Sequence, residues 1–344
     1  MDVLNGKTIL ITGGTGSFGK KFIQIVLTHA KPKKLIVFSR DELKQFEMEQ
    51  KWSTVKYPCL SYCLGDVRDM GRLSRVLRGV DYVIHAAALK QVPAAELNPD
   101  EYIKTNVLGA MNIIHASLEN KVKGVVALST DKACNPINLY GATKLCADKL
   151  FVATAAAETD DVTKFAVVRY GNVLGSRGSV IPFFKERVAT GILPITDARM
   201  TRFWITLDQA VYFVLESLSR MKGGEIFVPR IPSMKITDLA EAIGPKCKQT
   251  VVGIRPGEKL HETLISEDEA RNAVAFKDCF VVQPNRHLYR SLVKGGEACT
   301  DDFRYTSGDN DRWLSVKELK ALADKTSDDY EIEKTRWSMD DIPK

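Results

Sequence analysis

A chain of 344 residues with 44% hydrophobic and 27% charged content holds one large or two modest folded domains, and excludes a disulfide-stapled mini-protein, a disordered tail or a fibre. Its 49 Lys and Arg against 43 Asp and Glu leave +6, a mild excess with no long basic run beyond Lys31-Pro32-Lys33-Lys34 that by itself suits anionic small molecules as readily as nucleic acid; a small-molecule partner and no nucleic acid are expected. Seven scattered cysteines without a CxxC pair, an acidic start where a signal peptide carries Lys or Arg, and no run near about 18 apolar residues predict a reduced, cytoplasmic, membrane-free protein without a metal centre.

In chain order, short β-branched runs alternate with amphipathic segments. Thr8–Thr12, Leu35–Ser39, Leu60–Leu64, Tyr82–His85, Val125–Ser129 and Phe165–Tyr170 read as strands buried on both faces. Between them, Phe22, Ile25 and Val26, then Ile103, Val107, Ala110 and Ile114, recur at helical spacing and mark crossover helices. Strand and helix in series give an α/β fold, a doubly wound parallel Rossmann sheet with a smaller C-terminal substrate-binding region. Residues 1–174 are expected to form the dinucleotide domain, 175–285 the partly interleaved substrate region, and 286–344 a polar extension.

The first strand runs into Gly13-Gly14-Thr15-Gly16-Ser17-Phe18-Gly19 and then a helix. Glycines let the backbone approach a pyrophosphate, and the helix N-terminus favours its charge. At the end of the second strand, Arg40 in Ser39-Arg40-Asp41 offers a planar charged fork to a ribose 2′-phosphate, so NADP is expected over NAD, with Asp41 arguing the other way. Asp66-Val67, closing the third strand, either meets the adenine or has Asp66 cap the segment that follows.

The fifth strand ends in Ser129-Thr130-Asp131-Lys132, and Tyr140 and Lys144 follow one helical turn apart. Groups past the carboxyl ends of such strands face the ligand crevice, where an ammonium can lower a phenol pKa and make Tyr140 a base for an alcohol proton. Thr130 either orients the reacting hydroxyl or the tyrosine, or caps the next turn. His85 reads as a core histidine, Cys134 and Cys146 as buried inert thiols, and Phe203-Trp204 as core. His261-Glu262 lacks the second histidine of a zinc helix, so no metal site is expected.

Gly13–Gly19, Ser39–Glu42, His85–Lys90, Ser129–Ala133, Tyr140–Lys144 and Arg169–Val173 together resemble the extended short-chain dehydrogenase/reductase superfamily. More narrowly they resemble its inverting UDP-N-acetylglucosamine 4,6-dehydratases, which open pseudaminic acid biosynthesis for flagellin glycosylation. The likeness runs from Lys7 to about Ile265. It implies a carbon–oxygen lyase with a recycled NADP: Tyr140 as C4 base, Lys144 as its electrostatic partner on the nicotinamide ribose, Lys132 as C5 base and Asp131 as C6 general acid. Lys44, Ala86, Ala87, Ala88 and Val173 join the expected cofactor contacts. For the nucleotide-sugar, Arg202 and Arg255 are expected near the UDP group, Glu258 on the uridine ribose, Lys90 and Asn172 near the sugar, and Ser179, Thr196 and Arg177 among the further candidates.

The competing functions are a UDP-sugar 4-epimerase or 5-retaining dehydratase on the same scaffold and a non-catalytic NADP-binding regulator. A homodimer or larger homo-oligomer is expected through the Tyr102–Ala116 helix and the helix after Tyr140, with Leu145, Ala147, Leu150, Phe151, Ala153, Ala155 and Ala156 on its stripe.

Overall fold

The computed structural model describes residues 1–157, 162–175, 180–284 and 295–334. The chain divides into two interleaved units: Met1–Gly171 with Asp208–Arg230 and Thr263–Thr306, and Asn172–Leu207 with Ile231–Glu262 and Ser307–Lys344. Much of the stretch expected to be substrate region, 208–230 and 263–285, therefore belongs to the first unit.

In the first unit, β1 (Thr8–Thr12), α1 (Ser17–His29), β2 (Lys34–Ser39), α2 (Glu42–Lys51), β3 (Leu60–Leu64), α3 (Met70–Val76) and β4 (Tyr82–His85) alternate as the periodicity predicts. Two short helices follow, α4 (Val92–Leu97) and α5 (Pro99–Tyr102), then α6 (Gly109–Glu119), β5 (Gly124–Thr130), α7 (Leu139–Ala157) and β6 (Lys164–Tyr170). The strands lie in the order β6-β5-β4-β1-β2-β3, all parallel, so the sheet is doubly wound with the switch between β1 and β4. Beyond β6 the sheet continues through Ile226–Pro229, Cys279–Val282, Ala273–Ala275 and Glu297–Ala298, the last three antiparallel to their neighbours.

Five of the six predicted strands, β1, β2, β4, β5 and β6, are buried almost throughout. β3 departs from the expectation: it is the sheet edge, and only Leu60 is buried. The continuous helix expected over Tyr102–Ala116 is also corrected. A π-helical turn at Ile103–Leu108 separates α5 from α6, and it turns Asn106 inward.

The second unit is smaller. Asn172–Val173, Thr201–Ile205 and Ser233–Lys235 form one small sheet, and Ile192–Ile195 pairs with Lys248–Val251. Phe184, Leu193, Trp204, Met234 and Leu239 build its core, which Leu319 and Ala323 of the Val316–Lys334 helix enter. That helix is thus packed into the unit, where the sequence suggested a polar appendage. Phe203 and Trp204 lie in the interior as expected. No helix among the described residues is long and apolar enough to cross a membrane.

Candidate active site

At the carboxyl end of β1 the chain turns on Gly13, at φ +65°, where a Cβ would sit 2.9 Å from the Ala87 backbone. Only glycine permits this approach, which brings the glycine loop against Ala86, Ala87 and the more exposed Ala88 at the end of β4. The Thr12 hydroxyl accepts from the Ala86 and Ala87 amides at 3.1 and 3.2 Å and closes the same corner. Gly16 then caps α1 without a side-chain bond, leaving the first-turn amides at Ser17, Phe18 and Gly19 to a ligand. Thr15 is hydrogen bonded to Ser39 at 2.9 Å, tying the loop to the end of β2. These are the features a dinucleotide diphosphate requires.

Beside it, the Asp41 carboxylate accepts from the Lys44 amide at 3.0 Å, caps α2 and also holds the Lys44 ammonium. Arg40 is 53% exposed at its side chain and lies 3.6 Å from Asp66. Asp66 does not cap α3; Asp69 does, accepting from the Arg72 amide at 2.8 Å. Burial pushes the Asp66 carboxyl up, but hydrogen bonds from Arg68 and the Arg40 charge outweigh it and hold the group below its ordinary range. Val67 is buried against Gly109, and its carbonyl accepts from Asn112 at 3.0 Å.

The chemical groups gather where β5 ends. Thr130 donates to Asp131 at 2.9 Å and also caps the following turn, accepting from the Lys132 amide at 3.4 Å. Asp131 is fully buried, and the Lys132 ammonium meets its Oδ1 at 3.1 Å. A Cβ on Gly141 would come within 2.2 Å of the Lys132 carbonyl, so the glycine after Tyr140 lets α7 press against this turn. The Tyr140 ring packs with Ala95 and Tyr102, and its hydroxyl is also met by Thr130. Lys90 remains largely exposed, yet desolvation and the nearby Lys132 charge both lower its ammonium pKa.

Burial pushes the Tyr140 phenol up to about 12, against the Lys132 charge and a hydrogen bond from Thr130, while the Asp131 and Asp148 charges add to the rise. Lys144, one helical turn on, donates to the Leu128 carbonyl at 2.7 Å, and burial lowers its own pKa against the pull of Asp148. His85 is a buried core histidine, bonded to Thr12 at 2.8 Å and pushed down to about 3 by burial and the Lys144 charge.

The sequence reading missed Asp148, Asn106 and Glu269. Asn106 brackets Leu89, accepting its amide and donating to its carbonyl at 2.9 Å each, and donates to Thr143 at 3.1 Å, joining the Lys90 segment to α7. A buried asparagine in an otherwise apolar helical face was the available signal. Cys134 is buried as expected, but Cys146 is exposed. Phe151 faces the protein's own sheet, 5.9 Å from the His85 ring and 6.1 Å from Phe165, and so is not on an outer stripe.

In the second unit, Arg202 turns inward. Its Nη1 donates to the Thr201 and Leu260 carbonyls at 2.6 and 3.2 Å, and Nε lies 3.7 Å from Glu262, so these donors are committed within the unit. Arg255 is exposed and paired with Glu258. Thr196 is half-buried, Asn172 and Val173 form a short strand beside Trp204 and Ile205, and the Asn172 amide oxygen is buried without a hydrogen-bond partner. Arg177 and Ser179 lie outside the described residues.

Residues 9–284 match the family model described as polysaccharide biosynthesis protein. The inverting UDP-N-acetylglucosamine 4,6-dehydratase of Campylobacter jejuni serotype O:2 is 54% identical over 94% of this chain and 99% of its own length. The UDP-glucose 4-epimerase of Rickettsia canadensis is 42% identical over 92% of this chain and 95% of its own length. Among solved structures, Pen from Bacillus thuringiensis superposes with a TM-score of 0.86 at 35% identity, covering 94% of this chain and 99% of that one. The chain belongs to the polysaccharide biosynthesis protein family, sharing it with the inverting UDP-N-acetylglucosamine 4,6-dehydratases, and has their extended short-chain dehydrogenase/reductase fold.

Proposed function

We propose that this protein dehydrates UDP-N-acetylglucosamine across C5 and C6 with inversion at C5, using NADP and giving a UDP-4-keto-6-deoxy-L-arabino-hexosamine. The observation that carries the reading is the buried Asp131 paired with Lys132 at the end of β5, directly beside Tyr140. The Gly13–Gly19 loop with the first turn of α1 and the Ala86–Ala88 segment would hold a nicotinamide dinucleotide, which would supply reversible hydride transfer between C4 and C6 of the sugar.

Tyr140 accepts the C4 hydroxyl proton as the alcohol becomes a ketone. Its high phenol pKa makes it a strong base once ionised, and Lys132 and Thr130 favour that ionised form. The new ketone acidifies the C5 proton. Elimination then needs a neutral amine and a neutral carboxylic acid. Moving one proton along the 3.1 Å contact from Lys132 to Asp131 creates both from the ion pair, and burial favours the uncharged forms. Lys132 takes the C5 proton, Asp131 protonates the departing C6 hydroxyl, and water leaves; as hydride is added at C6, a solvent-derived proton must add to C5 on the face opposite Lys132, which inverts that centre.

For NADP over NAD the support is Arg40 at the end of β2, with Asp41 occupied by capping α2. In the second unit, the exposed Arg255 with Glu258 is favoured for the UDP moiety over the inward-turned Arg202. A homo-oligomer would use the outer face of α7, where Leu145 and Leu150 are half-buried and Ala153 exposed, with exposed Ile103 and Leu108. Light scattering at micromolar concentration tests this, and a 38.3 kDa particle alone would refute it.

The deciding experiment mixes the purified protein with UDP-N-acetylglucosamine in deuterated buffer and follows the product by proton NMR. Loss of one water, deuterium at C5 and the L-arabino couplings are expected. An isomer of unchanged mass would establish instead the 4-epimerase reading, which the likeness to the rickettsial enzyme favours.

A further inference from the structure

Behind the site lies a buried chain of charges that the chemistry above does not use. Arg169 of β6 is fully buried, and its register partner on β5 is Ser129, the residue before Thr130, Asp131 and Lys132. Register partners in a parallel pair point to the same face of the sheet, here the face that α7 covers. Asp148 of α7 sits against both: it accepts from the Ser129 hydroxyl at 2.8 Å and from Arg169 Nη2 at 3.2 Å. From its other nitrogen Arg169 donates to Glu269 at 2.8 and 3.0 Å and to the Leu264 carbonyl at 3.0 Å. Glu269 closes a capping box with Ser266 and accepts from the Cys134 thiol at 3.5 Å, just behind the catalytic turn. Asp148 lies one helical turn beyond Lys144, so two cations and two carboxyl groups share one buried compartment; burial pushes the Asp148 carboxyl up, against the pull of the Arg169 and Lys144 charges and the hydrogen bonds from Ser129 and Arg169.

We propose that Asp148 is a positioning residue that keeps Lys144 as an ammonium and, with Arg169, fixes the end of β5 against α7. The inference rests on the reading above for its link to catalysis, but the state of Lys144 can be measured without substrate. Each element packed around Lys144 supplies a group. His85 on β4 is uncharged and cannot compensate an ammonium; the Leu128 carbonyl on β5 accepts one bond. Arg169 on β6 is a second cation, Lys132 on the turn a third, with Asp131 opposite it. Glu269 is spent on Arg169. Asp148 is therefore the carboxylate that offsets Lys144, and burial lowers the Lys144 pKa only against it.

The test is a lysine 13Cε NMR titration, with the Lys144 signal identified by its absence in Lys144→Arg. In Asp148→Asn the Lys144 midpoint should fall by about 1–3 pH units, the range for losing a close opposite charge. The alkaline limb of kcat should move down with it while KM for the nucleotide-sugar stays within about threefold. Ser129→Ala, which removes a hydrogen bond but no charge, should leave the midpoint in place. An unchanged Lys144 midpoint in folded Asp148→Asn overturns the proposal, as does an equal fall in Ser129→Ala. Should Asp148→Asn not fold, Glu269→Gln must move the midpoint the same way by less, and no movement overturns the proposal. A Lys144 shift in Asp148→Asn, found together with a wild-type protein that leaves UDP-N-acetylglucosamine untouched, supports this inference and overturns the substrate reading alone.

Discussion

Replacing Arg40 by alanine isolates the choice between two nearly identical dinucleotides. A charge-assisted hydrogen bond to a phosphate contributes about 1.5–3 kcal/mol. The structure places Arg40 toward the lower end of that range, because its side chain is 53% exposed and already lies 3.6 Å from Asp66. Solvent screening and the need to loosen that pair reduce the net gain to about 1.5–2 kcal/mol, or a loss of about 10–30-fold in NADP affinity. NAD carries no 2′-phosphate, so its affinity should change by less than about twofold. The fold should not suffer: Asp66 keeps two bonds from the Arg68 guanidinium at 3.0 and 2.8 Å. Calorimetric titration with both nucleotides at low and high ionic strength measures the difference, and the NADP advantage should shrink in salt for wild type more than for Arg40→Ala. Equal losses for the two cofactors would show that Arg40 does not read the 2′-phosphate.

Lys132→Ala should bind nucleotides nearly as well as wild type yet exchange no C5 hydrogen with deuterated solvent; exchange at the wild-type rate rejects lysine as the C5 base. Gly141→Ala drives a Cβ to 2.2 Å from the Lys132 carbonyl, so the catalytic turn must shift, costing about 1–3 kcal/mol of stability and about a hundredfold in kcat. Calorimetric melting and steady-state rates would show both, and a normal kcat would mean the turn tolerates displacement. His85 titrates near 3 in the fold against 6.5 when free. The unfolded chain therefore binds the extra proton first, so stability is full above about 6.5 and is lost as pH falls toward 3. His85→Asn should flatten that part of the urea-denaturation profile, and an unchanged slope would assign the acid sensitivity elsewhere.

How far the sequence was legible depended on whether each signal was local. β1 and β4 fall on the residues that β-branched runs marked, because a strand covered on both faces needs continuous apolar residues; β3 also has the marked bounds, but its place at the sheet edge was not legible. The glycine loop and Tyr140–Lys144 were equally legible, since a tight turn and one helical repeat are short-range geometry. Direction was not. Phe151 and Arg202 carry the right chemistry for an interface and a phosphate, but a side chain's choice between inside and outside is made by distant neighbours. Phe151 meets His85 and Phe165, and Arg202 meets Leu260 and Glu262. Ser266 through Glu269 has the S-x-x-E pattern of a helix start, which a reader could have marked, yet nothing local indicates that Glu269 also reaches Arg169 a hundred residues earlier.

The two charge groupings beside Tyr140 differ in a way that separates structure from chemistry. Arg169 cannot give up its proton, and its two carboxyl partners are bound by Ser129, Ser266 and Cys134 as well, so hydrogen bonds from several elements hold that grouping in one arrangement. In the proposed chemistry Asp131 and Lys132 exchange one proton and remain neutral as a pair, while the Lys132 charge helps to lower the ammonium pKa of Lys90 beside them. A hydrogen-bonded network on one side and an exchangeable pair on the other would leave the proton transfers of the elimination step to the turn at the end of β5. Substitutions in the first compartment should therefore displace pH limbs and midpoints, while substitutions in the second should abolish individual steps.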